Sequence, residues 1–266
     1  MTIGVLGAGN MGRALLEGWL RPGQPVRSLR VYDKDPARAR AAAGAGGDAV
    51  VAVGAAREAT RGADAVVVAV KPQDVEGALS ALEGAVGPEQ LVVSVAAGVS
   101  LERLRALLGP GPGLVRIMPN LAVSLGEGVV AVAPEPGMPA ERVESAAALF
   151  AGMGVVEILP EDLFNAVTAV TGSGPGFLAL LLEGLEDGAV RGGMPRAVAR
   201  RFVRQMALGT SRLLAADEGS AAALKDRVSS PAGTTTAGLV VLEERAVRGA
   251  LIRAVEAAVE RGRQLG

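Results

Sequence analysis

The 266-residue sequence contains no cysteine and no histidine. Those two absences exclude disulfides, Cys/His metal sites, cysteine nucleophiles and any Ser-His-Asp triad. Aromatic residues are only 2% of the chain, too few for a base-stacking platform. No excess of one charge exists either: 27 Lys plus Arg face 28 Asp plus Glu, for a formal net charge of -1. Such a balance gives no electrostatic footprint for nucleic acid or anionic lipid. No acidic cluster has metal-ligand spacing, so no metal is expected. The chemistry must therefore use hydroxyls, carboxylates, Lys, backbone groups or a borrowed cofactor. No basic segment with a small-residue cleavage site precedes the opening Met1-Thr2-Ile3-Gly4, and the apolar run 177–182 is shorter than a bilayer span of about 20 residues. The expectation is a cytoplasmic protein with neither nucleic-acid nor membrane partners.

Half the residues are hydrophobic, which is a globular composition. In the first half, short β-branched runs alternate with Ala/Arg-rich helical stretches. Strands are expected at 3–6, 29–32, 49–53, 65–70 and 91–95, with helices between them, and 114–118, 129–133 and 155–159 extend the sheet. Ala65 to Val70 shows no polar alternation, as expected of a strand covered on both faces. Strand alternating with helix predicts an α/β fold with a doubly wound, Rossmann-type sheet. After Pro160 helical periodicity takes over, predicting an all-helical C-terminal domain with helices near 161–170, 176–191, 195–216, 221–228, 235–245 and 247–265. The boundary falls between 158 and 159. Few charges occupy one face of these helices; that face packs either on the sheet domain or on a second copy.

Gly7-Ala8-Gly9-Asn10-Met11-Gly12 is a G-x-G-x-x-G placed directly after the first strand, following Leu6, and opening a helix. Gly7 permits the tight turn, Gly9 lets a pyrophosphate approach the backbone, and Gly12 lets helix and strand pack closely. The helix N-terminus then stabilises the diphosphate. Asp33 stands about 20 residues beyond the glycines, where an acid hydrogen-bonds the adenosine ribose and repels a 2′-phosphate. The position equally suits a helix cap or turn residue ahead of Pro36. Lys34 and Arg38 are close enough to offset the repulsion, so the choice between NADH and NADPH stays open. Ala69-Val70-Lys71-Pro72 ends the fourth strand at the carboxyl edge; Lys71 is a catalytic acid, a phosphate contact or an exposed strand-end charge.

Three further segments carry a resemblance. Val115-Arg116-Ile117-Met118-Pro119-Asn120 resembles an M-P-N loop, Val170 to Phe177 a G-S-G-P-A-Y segment, and Leu224 to Thr235 the signature K-D-x-V-x-S-P-G-G-T-T. Together with the A-V-K-P loop and Ser94-Val95-Ala96-Ala97-Gly98, they are similar, in order and along essentially the whole chain, to pyrroline-5-carboxylate reductases. Departures are Leu121-Ala122 for Thr-Pro, Ala232 for a Gly, Gly176-Phe177 for Ala-Tyr, and Ala56 where many members carry an Asn near the adenosine.

The resemblance implies reduction of 1-pyrroline-5-carboxylate to L-proline by NADPH or NADH, the last step of proline biosynthesis. It implies an interlocked homodimer, with rings of dimers common in the family. It makes Leu6 to Gly12, Asp33, Lys34, Ala69 to Pro72, Ala97 and Gly98 the cofactor set. Ser230, Gly233, Thr234 and Thr235 would take the substrate, with Asn120 and Ser173 either further pocket residues or turn and cap residues. Small residues there let the backbone approach a ligand, and free N–H groups at a helix start bind anions. By resemblance the Thr235 hydroxyl hydrogen-bonds the ring nitrogen, which makes it the catalytic candidate. A rival dehydrogenase of the β-hydroxyacid type would place a Lys on the helix after Gly174-Pro175; that helix offers Phe177, Leu180, Leu181 and Glu183, and the only lysines are Lys34, Lys71 and Lys225. A non-catalytic dinucleotide sensor would have no use for Ser230 to Thr235.

Overall fold

The computed structural model describes residues 1–216 and 219–265. Alternating elements build the first part: β1 (Thr2–Leu6), α1 (Asn10–Trp19), β2 (Ser28–Tyr32), α2 (Pro36–Gly46), β3 (Val50–Ala52), α3 (Ala56–Thr60), β4 (Ala65–Val68), α4 (Val75–Ser80), β5 (Leu91–Ser94) and α5 (Leu101–Leu108). Then come β6 (Gly113–Pro119), β7 (Gly128–Pro134), α6 (Ala140–Ala148) and β8 (Gly154–Ile158). All eight strands join one sheet in the order β3-β2-β1-β4-β5-β6-β7-β8. Every pairing is parallel except β6 with β7.

Two apolar cores explain why the central strands lack alternation. Val67, Val93, Val115 and Ile117 pack on one face with Leu15, Trp19 and Phe150. Val66, Val68, Val92 and Leu114 pack on the other with Leu79, Leu104 and Phe164. Full burial of each such side chain stabilises by about 1.5–3 kcal/mol, so polar residues have no place on either face. The Trp19 indole still finds an acceptor, the Leu149 carbonyl at 2.7 Å. Ser94 at the end of β5 and Arg116 in the middle of β6 are buried polar exceptions, and Arg116 carries a charge. Its guanidinium reaches the Glu161 carboxylate at 2.6 Å and lies 5.0 Å over the Phe164 ring. The same Glu161 oxygen accepts the N–H of Leu101 at the start of α5.

The remaining helices are α7 (Phe164–Val167), α8 (Gly174–Arg191), α9 (Arg196–Ala216), α10 (Ala221–Arg227), α11 (Thr234–Glu244) and α12 (Val247–Leu265). Separate helices were expected over 161–170 and 176–191. Instead a 3-10 turn, α7, a π-helical segment Thr168–Ser173 and α8 follow one another without a break. The Gly-Ser-Gly-Pro stretch does not stop the helix because Pro175 sits in the first turn of α8, where an N–H partner is not required. The run Glu161–Arg191 is long and apolar enough to cross a membrane by length and composition, with only 6% of its apolar window buried.

The chain packs as two compact units, residues 1–172 with those from Ala258 onward, and residues 173–257. The sheet ends at Ile158, where the sequence pattern changes. Packing of the first unit continues further because Glu161 is tied to β6 and Phe164 is buried in the second core.

Candidate functional site

The glycine turn sits at the carboxyl end of β1, between the ends of β2 and β4 in the sheet order. Gly7 has φ +103, a conformation that side chains disfavour. Its N–H donates to the Tyr32 carbonyl at 2.8 Å, tying the turn to β2. A Cβ on Gly12 would collide with the Gly7 carbonyl, whereas a Cβ on Gly9 would meet nothing within 4 Å. Gly9 thus borders open space at the N-terminus of α1, and no side chain caps that helix. The first-turn N–H groups are left for an anion, which is the arrangement a dinucleotide diphosphate requires.

Asp33 is buried, and both its oxygens are occupied. Oδ2 accepts the Ala8 N–H at 2.7 Å and Oδ1 accepts the Asp35 N–H at 2.9 Å. Its carboxylate therefore locks the glycine turn to the loop after β2. The cap of α2 is not Asp33 but Asp35, whose side chain accepts from the Ala37 N–H ahead of the helix. Lys34 is exposed and paired with Asp74 at 2.7 Å. Ala69 to Pro72 leave the sheet after Val68, with Ala69 N–H still bonded to Leu6 at 2.7 Å. Lys71 is exposed in this loop. Beyond β5, Ala97 is exposed and Gly98 has φ +75, a conformation that favours glycine. These residues all stand at the carboxyl edge, where such sheets bind ligands.

Asn120 ends β6 with both side-chain groups engaged. Its oxygen accepts the Val129 N–H at 3.2 Å, and its amide donates to the Thr171 carbonyl at 3.2 Å. In this state it braces the entry to β7 against the π-helical segment, which ends at Ser173.

In the second unit the signature residues form a tight loop closed on one atom. The Ser230 carbonyl accepts the Gly233 N–H at 3.0 Å and the Thr236 hydroxyl at 3.2 Å. Ala232 adopts φ +54, and a Cβ on Gly233 would collide with the Ser230 hydroxyl. Gly233 caps α11, and the helical ladder begins with Ala237 N–H to Gly233 at 3.2 Å. The Gly233 N–H, expected to face a substrate, is thus consumed inside the loop. Among the described residues, the N–H groups of Thr234, Thr235 and Thr236, the first turn of α11, have no acceptor. The Thr235 hydroxyl likewise makes no hydrogen bond among the described residues. Sequence reasoning missed three participants: Thr236, which closes the loop; Glu161, which anchors Arg116 and the start of α5; and Asp74, which holds Lys34. The signals were a third threonine in the run, a charge inside an apolar strand, and an acid three residues past Lys71.

Residues 161–265 match the family model described as pyrroline-5-carboxylate reductase dimerisation, and residues 2–98 match that for NADP oxidoreductase, coenzyme F420-dependent. The chain is 34% identical to a pyrroline-5-carboxylate reductase of Escherichia coli over 99% of this chain and 97% of that protein. It is 36% identical to one from Methanosarcina acetivorans, with 99% and 97% covered. Among solved structures, that of a pyrroline-5-carboxylate reductase from Coxiella burnetii superposes with TM-score 0.91 at 28% identity, covering 100% and 98%. The Plasmodium falciparum enzyme with NADP bound gives 0.86 at 25% identity, covering 100% and 98%. A ketol-acid reductoisomerase at 16% identity and TM-score 0.65 shares the fold alone.

Proposed function

From the premise that this chain belongs to the pyrroline-5-carboxylate reductase family, and so reduces 1-pyrroline-5-carboxylate to L-proline with NAD(P)H, we propose how its residues divide the work. The cofactor supplies the hydride; the protein supplies binding, orientation and a polar environment. Leu6 to Gly12 hold the diphosphate at the α1 N-terminus. Asp33 takes the adenosine ribose through the lone pairs its two backbone contacts leave free, with Lys34 beside it. Ala69 to Pro72, Ala97 and Gly98 border the rest of the dinucleotide.

The substrate carries a carboxylate and a ring imine, and these need different partners. The unpaired N–H groups of Thr234, Thr235 and Thr236 at the start of α11 take the carboxylate. Ser230 and Gly233 contribute by shaping the loop that presents them. The Thr235 hydroxyl bonds the ring nitrogen and fixes the face that receives hydride. The imine enters protonated from water; the hydride adds to its carbon and the C=N π pair becomes the amine lone pair. An unassisted threonine hydroxyl is a poor acid, so its contribution is placement and electrostatics. By resemblance Asn120 and Ser173 are further substrate-binding candidates.

The observation that carries this assignment is the unengaged Thr235 hydroxyl beside three unpaired N–H donors. Thr235→Ala should lower turnover by roughly one to two orders of magnitude, the scale of misplaced geometry. Thr235→Ser should retain much of it, and NAD(P)H affinity should hardly change in either. Near-parental turnover in the Ala variant would remove Thr235 from the mechanism and leave only the helix-start N–H groups.

We divide the chain functionally into a dinucleotide-binding domain, 1–158, and a dimerisation and substrate domain, 159–266. The end of the sheet at Ile158 and the start of the dimerisation match at 161 support that division. The dimerisation match supports a homo-oligomer, and we propose homodimers assembled into larger rings. A biosynthetic reductase draws on the cell's reduced nicotinamide, so we place it in the cytoplasm.

A further inference from the structure

We propose that Asp74 governs the choice between NADH and NADPH by holding Lys34 away from the 2′-phosphate; this rests on the cofactor assignment above. The sheet order sets β2 and β4 on either side of β1. The loops that follow β2 and β4 are therefore the two lips of the crevice above the glycine turn. Lys34 stands in the first loop, one residue past Asp33. Asp74 stands in the second, at the end of the 3-10 turn Pro72–Asp74. Their side chains meet at 2.7 Å across 40 residues of sequence. The ion pair links the two lips directly.

The charges around the ribose position then follow. Asp33 cannot swing away from a 2′-phosphate, because backbone N–H groups of Ala8 and Asp35 hold both its oxygens. The next cation in sequence, Arg38 in the first turn of α2, lies 3.5 Å from Asp35. Lys34 is the cation nearest in sequence to Asp33, and Asp74 occupies it. The lysine side chain is 71% exposed and that of Asp74 31%. An exposed pair of this kind is weak and exchangeable. A phosphate monoester carries roughly 1.5 to 2 negative charges at neutral pH and competes for the ammonium. With NADH no competitor arrives and the bridge persists. With NADPH the phosphate must displace Asp74 and then tolerate two carboxylates. Asp74 therefore selects against NADPH without any need to touch NADH.

Fluorescence titration of NADH and NADPH on parent, Asp74→Asn, Lys34→Ala and the double variant tests this. Asp74→Asn should tighten NADPH about three- to tenfold at low salt, the range open to one exposed charge, and leave NADH within about twofold. The gain should shrink as salt is raised and vanish when Lys34 is also replaced. Equal shifts for both nucleotides, no shift, or a gain that survives Lys34→Ala would each overturn the role of Asp74 while leaving the cofactor site intact. A parent protein that binds neither nucleotide would instead remove the cofactor site, and this inference with it.

Discussion

At Ala232 the backbone takes φ +54, where the family motif carries glycine. A left-handed alanine costs roughly 1–2 kcal/mol, against the extra chain entropy of about 0.5–1 kcal/mol that glycine loses on folding. Ala232→Gly should therefore be neutral or stabilising by up to about 1 kcal/mol, while Ala223→Gly inside α10 should cost about 1 kcal/mol. Denaturant unfolding of both variants checks this; equal losses would mean that Ala232 is not left-handed. The residue was legible as a departure from the motif, but its strain was not, since φ is set by the loop closing on Ser230. Asp33 teaches a similar lesson. Spacing marked it as a ribose ligand, and nothing in the sequence revealed the bonds to Ala8 and Asp35. Asp33→Ser should still improve relative use of NADPH by removing the charge. It should also weaken both nucleotides several-fold, since the turn loses its side-chain tie to the loop after β2. Kinetics with both cofactors decide it: an unchanged ratio means that Asp33 does not face the ribose.

The α1 helix and its entry turn give the clearest contrast between two glycines of one element. Gly9→Val meets open space, so stability should stay within about 1 kcal/mol of the parent, while NAD(P)H binding is lost. Gly12→Ala runs into the Gly7 carbonyl, so folding itself should suffer by about 1–3 kcal/mol. Paired melting and cofactor titration separate the two; a Gly9→Val protein that binds normally would take the diphosphate off this turn. Elements with one strong physical cause were legible in advance. A strand was expected over 65–70 because a run without polar alternation must be covered on both faces, and it forms over Ala65–Val68. The helical run from Glu161 to Arg191 was split in two, because Gly and Pro ordinarily end helices. Here the π-helical segment takes in Gly172 and Pro175 follows in the first turn of α8, and no sequence periodicity reports a widened turn.

Across the whole molecule, the sheet half buries its apolar residues and the helical half leaves many exposed. On α8, Leu178, Leu180 and Leu185 are 49%, 69% and 51% exposed, and no residue of that helix or of α11 is buried. A lone chain has no use for such a surface, and a homo-oligomer does. Leu180→Glu should weaken self-association at least about tenfold, since a carboxylate would have to be buried unpaired. Sedimentation reads the change; an unaltered oligomer would place the interface elsewhere. The sequence left sheet packing and self-packing as alternatives for these helices, since periodicity identifies an apolar face and not what covers it.

The return of the chain to its first unit at Ala258 gives the helical segment two covalent tethers, not one. Topologically it is an insertion, entered after Gly172 and left through the last turns of α12. Near Gly262 that final stretch lies so close to Asn165 that an added Cβ would crowd its side chain. The C-terminal turns are thus part of the first unit's own packing, and a chain cut short at Ala257 would leave that unit, and not only the helical segment, incomplete.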